Sequence, residues 1–311
     1  MESDRNLAQS LSSFLSSHTN ESAEYLKYLI ELFMQGVAPR AYPEPSVKQE
    51  IAHRIAGDIG TQSNVPSFLH YYLQRRLIQD DWTPQAAFVA SRYLRRRVDG
   101  RFVSWQQRQQ HVAELAREPV PGSELSHAQL LYSQGAGPAF RWRGIPCFKT
   151  VYDLAIYAML IDELRPATII ELGSGAGGSA MLFADLCTSL GLATRIISVD
   201  QEAVQGFSDA RVTFIQSECA GWLEAMARSN TELARPCLLV EDFHGELSGF
   251  FKNIDSILKA GDYLVIEDSN PKQSAIAQTI AGLSYAVDTK YTDFFGINCT
   301  SAINGIFVKN A

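Results

Sequence analysis

From Thr168 onward, short apolar runs alternate with helical stretches: TIIELG, GGSAMLFADLCTSLG, RIISVD, VTFIQ, PCLLVED, FFKNIDSILKAGD and YLVIED. Strand followed by helix, repeated, predicts a doubly wound parallel sheet. Runs of Ile, Val and Leu without polar alternation suit strands buried on both faces. The end, SYAVDTKYTDFFGINCTSAINGIFVK, reads as two strands joined by a long loop, closing the sheet with an antiparallel strand. Up to about residue 135 the periodicity is helical and predicts no strand. In SAEYLKYLIELFMQGVAP, Tyr25, Leu29, Leu32 and Phe33 recur at helical spacing. SVKQEIAHRIAGDIG begins with Ser46 as N-cap, NVPSFLHYYLQRRLIQDD carries a third helix, and Thr83-Pro84 starts a fourth. These patterns divide the chain near residue 140, into a helical domain over 1–140 and an α/β domain over 141–311.

Composition narrows the class. Of 311 residues, 46% are hydrophobic and 20% charged, an ordinary globular balance with material for a core. No apolar run approaches the roughly 20 residues of a membrane span, and MESDRNLAQSLSSFLSS is too polar for a signal peptide. The net charge of −7 disfavours phosphate backbones and with them nucleic acid. Five cysteines without CxxC spacing point away from a disulfide framework or structural zinc and fit a reducing cytoplasm. One local exception is basic: residues 75–118 hold nine Arg and no Lys against five acids. Such a stretch reads either as a solvated or ion-paired helix face or as a site for an anionic substrate.

The candidate chemistry starts at Glu171-Leu-Gly173-Ser174-Gly175-Ala-Gly177-Gly178-Ser179, which follows a strand and opens a helix. Glycines there allow a sharp turn and a close ligand at a helix N-terminus. The run matches GxGxxG and also (D/E)xGxGxG. Glu171 separates the two, since it repels a pyrophosphate but not the sulfonium and amino group of S-adenosylmethionine (SAM). Asp200 ends the next strand, where a carboxylate can accept both ribose hydroxyls, with Gln201 beside it. Ser217 and Glu218 follow VTFIQ and are placed to meet the adenine edge. A glycine turn that only packs strand on helix is the alternative.

The run from Trp142 through Lys149, followed by DLAIYAMLIDELRPATIIELGSGAGGSA, resembles the cephalosporin hydroxylase and rhamnosyl O-methyltransferase family, related to the macrolide-sugar O-methyltransferases. The resemblance covers roughly residues 140–310 and implies a Rossmann-like class I methyltransferase fold, SAM, and usually Mg²⁺ beside the acceptor hydroxyl.

Two strand ends carry paired acids, Glu241-Asp242 and Glu267-Asp268, with His244 close behind the first. Strand ends of a parallel sheet line one crevice, so these acids can meet beside the cofactor. Carboxylates around a hard cation, with a histidine as general base, suit deprotonation of an alcohol. The resemblance to the related sugar methyltransferases implies a first metal ligand that is an aspartate three residues before the catalytic histidine; here that position is Glu241, followed by Asp242. Glu267 and Asp268 match the second and third ligands. Asp153 and Tyr157, a helical turn apart, are candidates to close the SAM pocket. The reading is an O-methyltransferase for a small specialised-metabolite acceptor, working as a homodimer or higher homo-oligomer with the helical part as lid or interface. The alternatives are N- or C-methylation without metal, a NAD- or oxygen-dependent hydroxylation partner, and a non-catalytic SAM-binding subunit.

Overall fold

The computed structural model describes residues 45–60, 67–95, 100–113, 122–229, 231–243, 250–280 and 282–311. The helix expected around Tyr25 to Phe33 lies outside these residues, as does His244.

By internal packing the chain forms two units, Met1–Arg97 and Val98–Ala311. In the first, α1 (Pro45–Gly60), α2 (Phe68–Gln79) and α3 (Pro84–Arg95) share a core of Ile51, Ile55, Leu73, Trp82, Ala86, Ala90 and Tyr93. The starts of these helices follow from local chemistry. Ser67 caps α2, and Thr83 Oγ1 accepts from the Ala86 amide at 3.1 Å in front of Pro84. Ser46 falls inside α1 rather than capping it.

The second unit begins with a strand that the helical periodicity hides. β1 (Phe102–Ser104) leads into α4 (Trp105–Ala113) and α5 (His127–Tyr132), and a small hairpin pairs β2 (Arg141–Trp142) with β3 (Ile145–Pro146). Then follow α6 (Val151–Leu164), β4 (Thr168–Leu172), α7 (Gly178–Ser189), β5 (Arg195–Asp200), β6 (Val212–Gln216), α8 (Cys219–Ser229) and β7 (Cys237–Glu241). The chain finishes with α9 (Phe250–Ile257), β8 (Tyr263–Ile266), α10 (Gln273–Ile280), β9 (Tyr285–Asp288), α11 (Thr289–Thr292) and β10 (Ile306–Lys309).

Eight strands make one sheet in the order β1-β9-β10-β8-β7-β4-β5-β6. The set from β8 to β6 is parallel, while β10 runs antiparallel to both its neighbours and β1 antiparallel to β9. The Rossmann-like class I architecture with its antiparallel C-terminal strand is therefore present. The expectation of no strand before residue 135 is corrected by β1, whose Val103 stands opposite Val287. Three residues with one buried side chain are too short to show a period. The packing boundary accordingly falls at 97/98, ahead of the composition change near 140.

Both faces of the sheet are covered, as the unbroken apolar strands require. Ile170, Leu172, Leu239 and Leu264 pack with α8, α9 and α10. Ile169, Leu238, Val240 and Val265 pack with α6, α7 and α11. Among the described residues no helix is long and apolar enough to cross a membrane. The five cysteines are all buried and free.

Candidate functional site

Strand order reverses between β4 and β7, and a crevice opens there at the C-terminal strand ends. The loop after β4 is shaped by close backbone approach. A Cβ on Gly173 would lie 2.4 Å from the Asp242 carbonyl oxygen, and one on Gly178 would lie 2.1 Å from that of Pro146. Only glycine lets these segments touch. Beneath the loop the Glu171 carboxylate is fully buried and accepts from Ser198 Oγ at 2.5 Å. Burial raises its carboxyl, against the opposing pull of Lys149 and of the Ser179 and Ser198 hydroxyls.

A cavity of about 780 Å³ fills the crevice. Of the expected cofactor residues, Gly173, Ser174, Gly175, Ser179, Asp200, Gln201 and Glu218 line it, and of the expected metal ligands, Asp242 and Asp268 do. Asp200 accepts from the amides of Gly175 at 2.9 Å and Glu202 at 3.0 Å, which ties the glycine loop to the end of β5. The Glu218 carboxylate is engaged otherwise than expected: it accepts from Ala220 and Gly221 amides and so caps α8. Glu171, Gly177, Ser217, Glu241 and Glu267 are not among the cavity's lining residues. Gly177 serves as the left-handed N-cap of α7, and Ser217 hydrogen-bonds through its amide to the Asp200 carbonyl.

The lysines are what the sequence reading missed. Lys149 is buried and lines the cavity, and its Nζ donates to Asp242 Oδ2 and to Glu267 Oε2, each at 2.6 Å. Lys272 Nζ lies 2.8 Å from both Glu241 oxygens and 2.9 Å from the Glu267 carbonyl oxygen. Tyr157 donates its hydroxyl to the other oxygen of Glu267. Burial alone would strip the proton from Lys149, but Glu267, Asp242 and Glu171 outweigh it and hold the ammonium well above its ordinary range. Burial raises Glu267 well above the carboxylate range, helped by the Asp242 charge and opposed by Lys149. It also pushes Glu241 up to about 7, against the pull of Lys272.

These pairings test the magnesium expectation. The oxygens that a divalent cation would need on Glu241 and Glu267 all face donors of this chain. Among the described residues no group of three or more His, Cys, Asp or Glu is arranged to hold a metal ion. Glu241 and Glu267 as placed do not fit a divalent cation.

Asp153 lies away from the cavity and binds the loop before β10, through Thr300 and the Ser301 amide. In the arginine-rich stretch, three of the described arginines form ion pairs, while Arg75 bonds Gln79 and Arg92 stacks on Phe88. Arg76 meets Asp81, Arg101 meets Asp288 and Glu163, and Arg108 meets Asp293.

Residues 135–280 match the family model described as Rhamnosyl O-methyltransferase/CmcI. The rhamnosyl O-methyltransferase of Mycobacterium leprae is 34% identical over 167 residues, spanning 51% of this chain and 73% of that protein. The chain belongs to this family. It is thereby a SAM-dependent methyltransferase. A second family member, the rhamnosyl O-methyltransferase of Mycobacterium bovis (strain BCG), is 28% identical over 220 residues, 64% of this chain and 90% of its own length. A solved structure of CmcI with SAH shares 25% identity at a TM-score of 0.48, over 57% of this chain and 85% of that one. The family match spans the glycine loop, Asp200, both acid pairs and Lys272.

Proposed function

We propose that this chain transfers the methyl group of SAM to a hydroxyl of a small, sugar-bearing acceptor. One observation carries this reading: a single cavity joins the glycine loop and Asp200 to the acid–lysine wall formed by Lys149, Asp242 and Asp268. The first part suits the donor. Gly173, Ser174 and Gly175 offer backbone at close range. A Cβ on Gly175 would meet nothing within 4 Å, so the cavity is open above it. The Asp200 carboxylate has lone pairs beyond the two amides it binds, and these take the ribose hydroxyls. Gln201, Ser217 and Glu218 flank the adenine end, while Glu171, Gly177 and Ser179 support the loop from below. The relatives' names supply the acceptor class, a deoxysugar hydroxyl.

Rate comes from alignment. Acceptor oxygen, methyl carbon and sulfur are held in line; the oxygen–carbon bond forms as the carbon–sulfur bond breaks, and S-adenosylhomocysteine leaves. The acceptor proton passes to a base, for which His244, three residues beyond the end of β7, is proposed. A second reading is favoured by the lysine-paired acids, which also suit an amine or activated-carbon acceptor that needs no metal.

The test is a screen of deoxysugar-bearing and amine acceptors with methyl-labelled SAM. An O-methylated product is expected, and His244→Ala should lower kcat by roughly 10²–10⁴-fold with SAM binding nearly intact. Label appearing only on nitrogen or carbon would replace the O-methylation reading with the second one.

A further inference from the structure

We propose that Lys149 and Lys272 hold the place of the divalent cation, so that this methyltransferase works with two fixed ammonium groups where metal-using relatives bind magnesium. The inference rests on the methyltransferase reading above and concerns the same wall of the cavity.

Three observations converge. First, Glu241 at the end of β7 meets Lys272 through both of its carboxylate oxygens at 2.8 Å. Second, Glu267 has no idle oxygen: one faces Lys149, the other Tyr157, and its backbone carbonyl faces Lys272. Third, these partners are not surface side chains free to swing away. The Lys149 side chain is 1% exposed and that of Lys272 11%. A metal entering between Glu241 and Glu267 would drive both ammonium groups off their carboxylates with little water to receive them, and an unpaired buried charge is strongly unfavourable.

The charge count supports the substitution. Two ammonium groups carry the same total charge as one divalent cation, and they pair with Glu241, Asp242 and Glu267. Their chemistry differs in one respect: a lysine orients by hydrogen bonds and does not coordinate the acceptor oxygen. Lys149 lines the cavity, so its positive charge stands beside the acceptor and favours loss of the hydroxyl proton, with the proton passing to the base.

The test uses Mn²⁺ as the probe, followed by electron paramagnetic resonance on the full chain, with SAM affinity measured by calorimetry in EDTA. The wild type should show no saturable Mn²⁺ site and should bind SAM in EDTA. Lys272→Met frees Glu241 and should tighten Mn²⁺ binding by roughly tenfold or more over wild type. A wild type that binds Mn²⁺ as tightly as Lys272→Met overturns the proposal. So does a well-folded Lys272→Met chain with no Mn²⁺ site, because the lysine would then not be what excludes the metal. Should Lys272→Met fail to fold, thermal unfolding of the wild type decides: a midpoint that rises with Mn²⁺ overturns the proposal, and an unmoved one supports it. Absence of SAM binding with or without Mn²⁺ would count against the methyltransferase reading and leave the Mn²⁺ result to be read by itself.

Discussion

Asp200 and Glu218 are both carboxylates on the cavity wall, but they are held for different ends. Asp200 accepts two amides from its own loop and the glycine loop, leaving lone pairs toward the cavity. Glu218 spends both oxygens on the first turn of α8. Asp200→Ala should therefore weaken SAM binding by roughly tenfold or more, through lost charge-assisted hydrogen bonds. Glu218→Ala should instead lower stability by about 0.5–2 kcal/mol, the usual range for a lost N-cap, with a smaller effect on SAM. Calorimetry with SAM beside thermal unfolding of the two variants separates these outcomes; equal SAM loss in both would refute the division of roles. At this scale the sequence was legible for the acids. A carboxylate at the end of a buried strand advertises itself by position. Its partner does not: Lys149 lies 118 residues from Glu267, and Lys272 lies 31 residues from Glu241. No local pattern links residues that only the sheet brings together.

Element by element, the central parallel strands β4, β7 and β8 could be read because they are buried on both faces and are mostly apolar. β1 could not, because its place depends on pairing with β9 across the chain. What anchors that edge is a group of ion pairs around Glu163 near the end of α6, which meets Arg101 just before β1 together with Lys290 and Tyr291 of α11. Burial alone would raise the Glu163 carboxyl, but hydrogen bonds from Lys290, Tyr291 and Arg101 outweigh it and lower it to about 2. A carboxylate with a depressed folded-state value binds fewer protons folded than unfolded at mildly acid pH. Its contribution is thus full above the unfolded value near 4.5 and fades as pH falls toward about 2. Thermal midpoints taken down that range should drop more steeply for wild type than for Glu163→Gln. Parallel curves would show that the cluster does not anchor the edge.

For the whole molecule, the two boundaries predict different things. The composition change near residue 140 suggests that everything before it forms one helical layer, a lid or dimer interface. Packing puts residues 98–140 with the sheet instead. Val103 pairs with Val287, and the Glu124 amide donates to the Ile297 carbonyl. Buried Arg108 reaches Asp293, Asn298 and Asn304 at 2.5–2.7 Å. Removing residues 1–135 would leave Asp293 and the polar side chains around it buried without their cation. Loss of one partner from a buried pair costs roughly 3–5 kcal/mol, a large part of a domain's stability. Removing residues 1–97 touches none of these contacts. The fragment 98–311 should therefore unfold cooperatively and bind SAM, while 136–311 should aggregate or melt far lower. If 98–311 binds SAM but turns over no acceptor, the first unit acts as lid or subunit interface for the acceptor side. If 98–311 matches the full chain in turnover and oligomeric state, that role is lost. If 136–311 proves as stable as 98–311, Arg108 and β1 are not the structural parts that their burial implies.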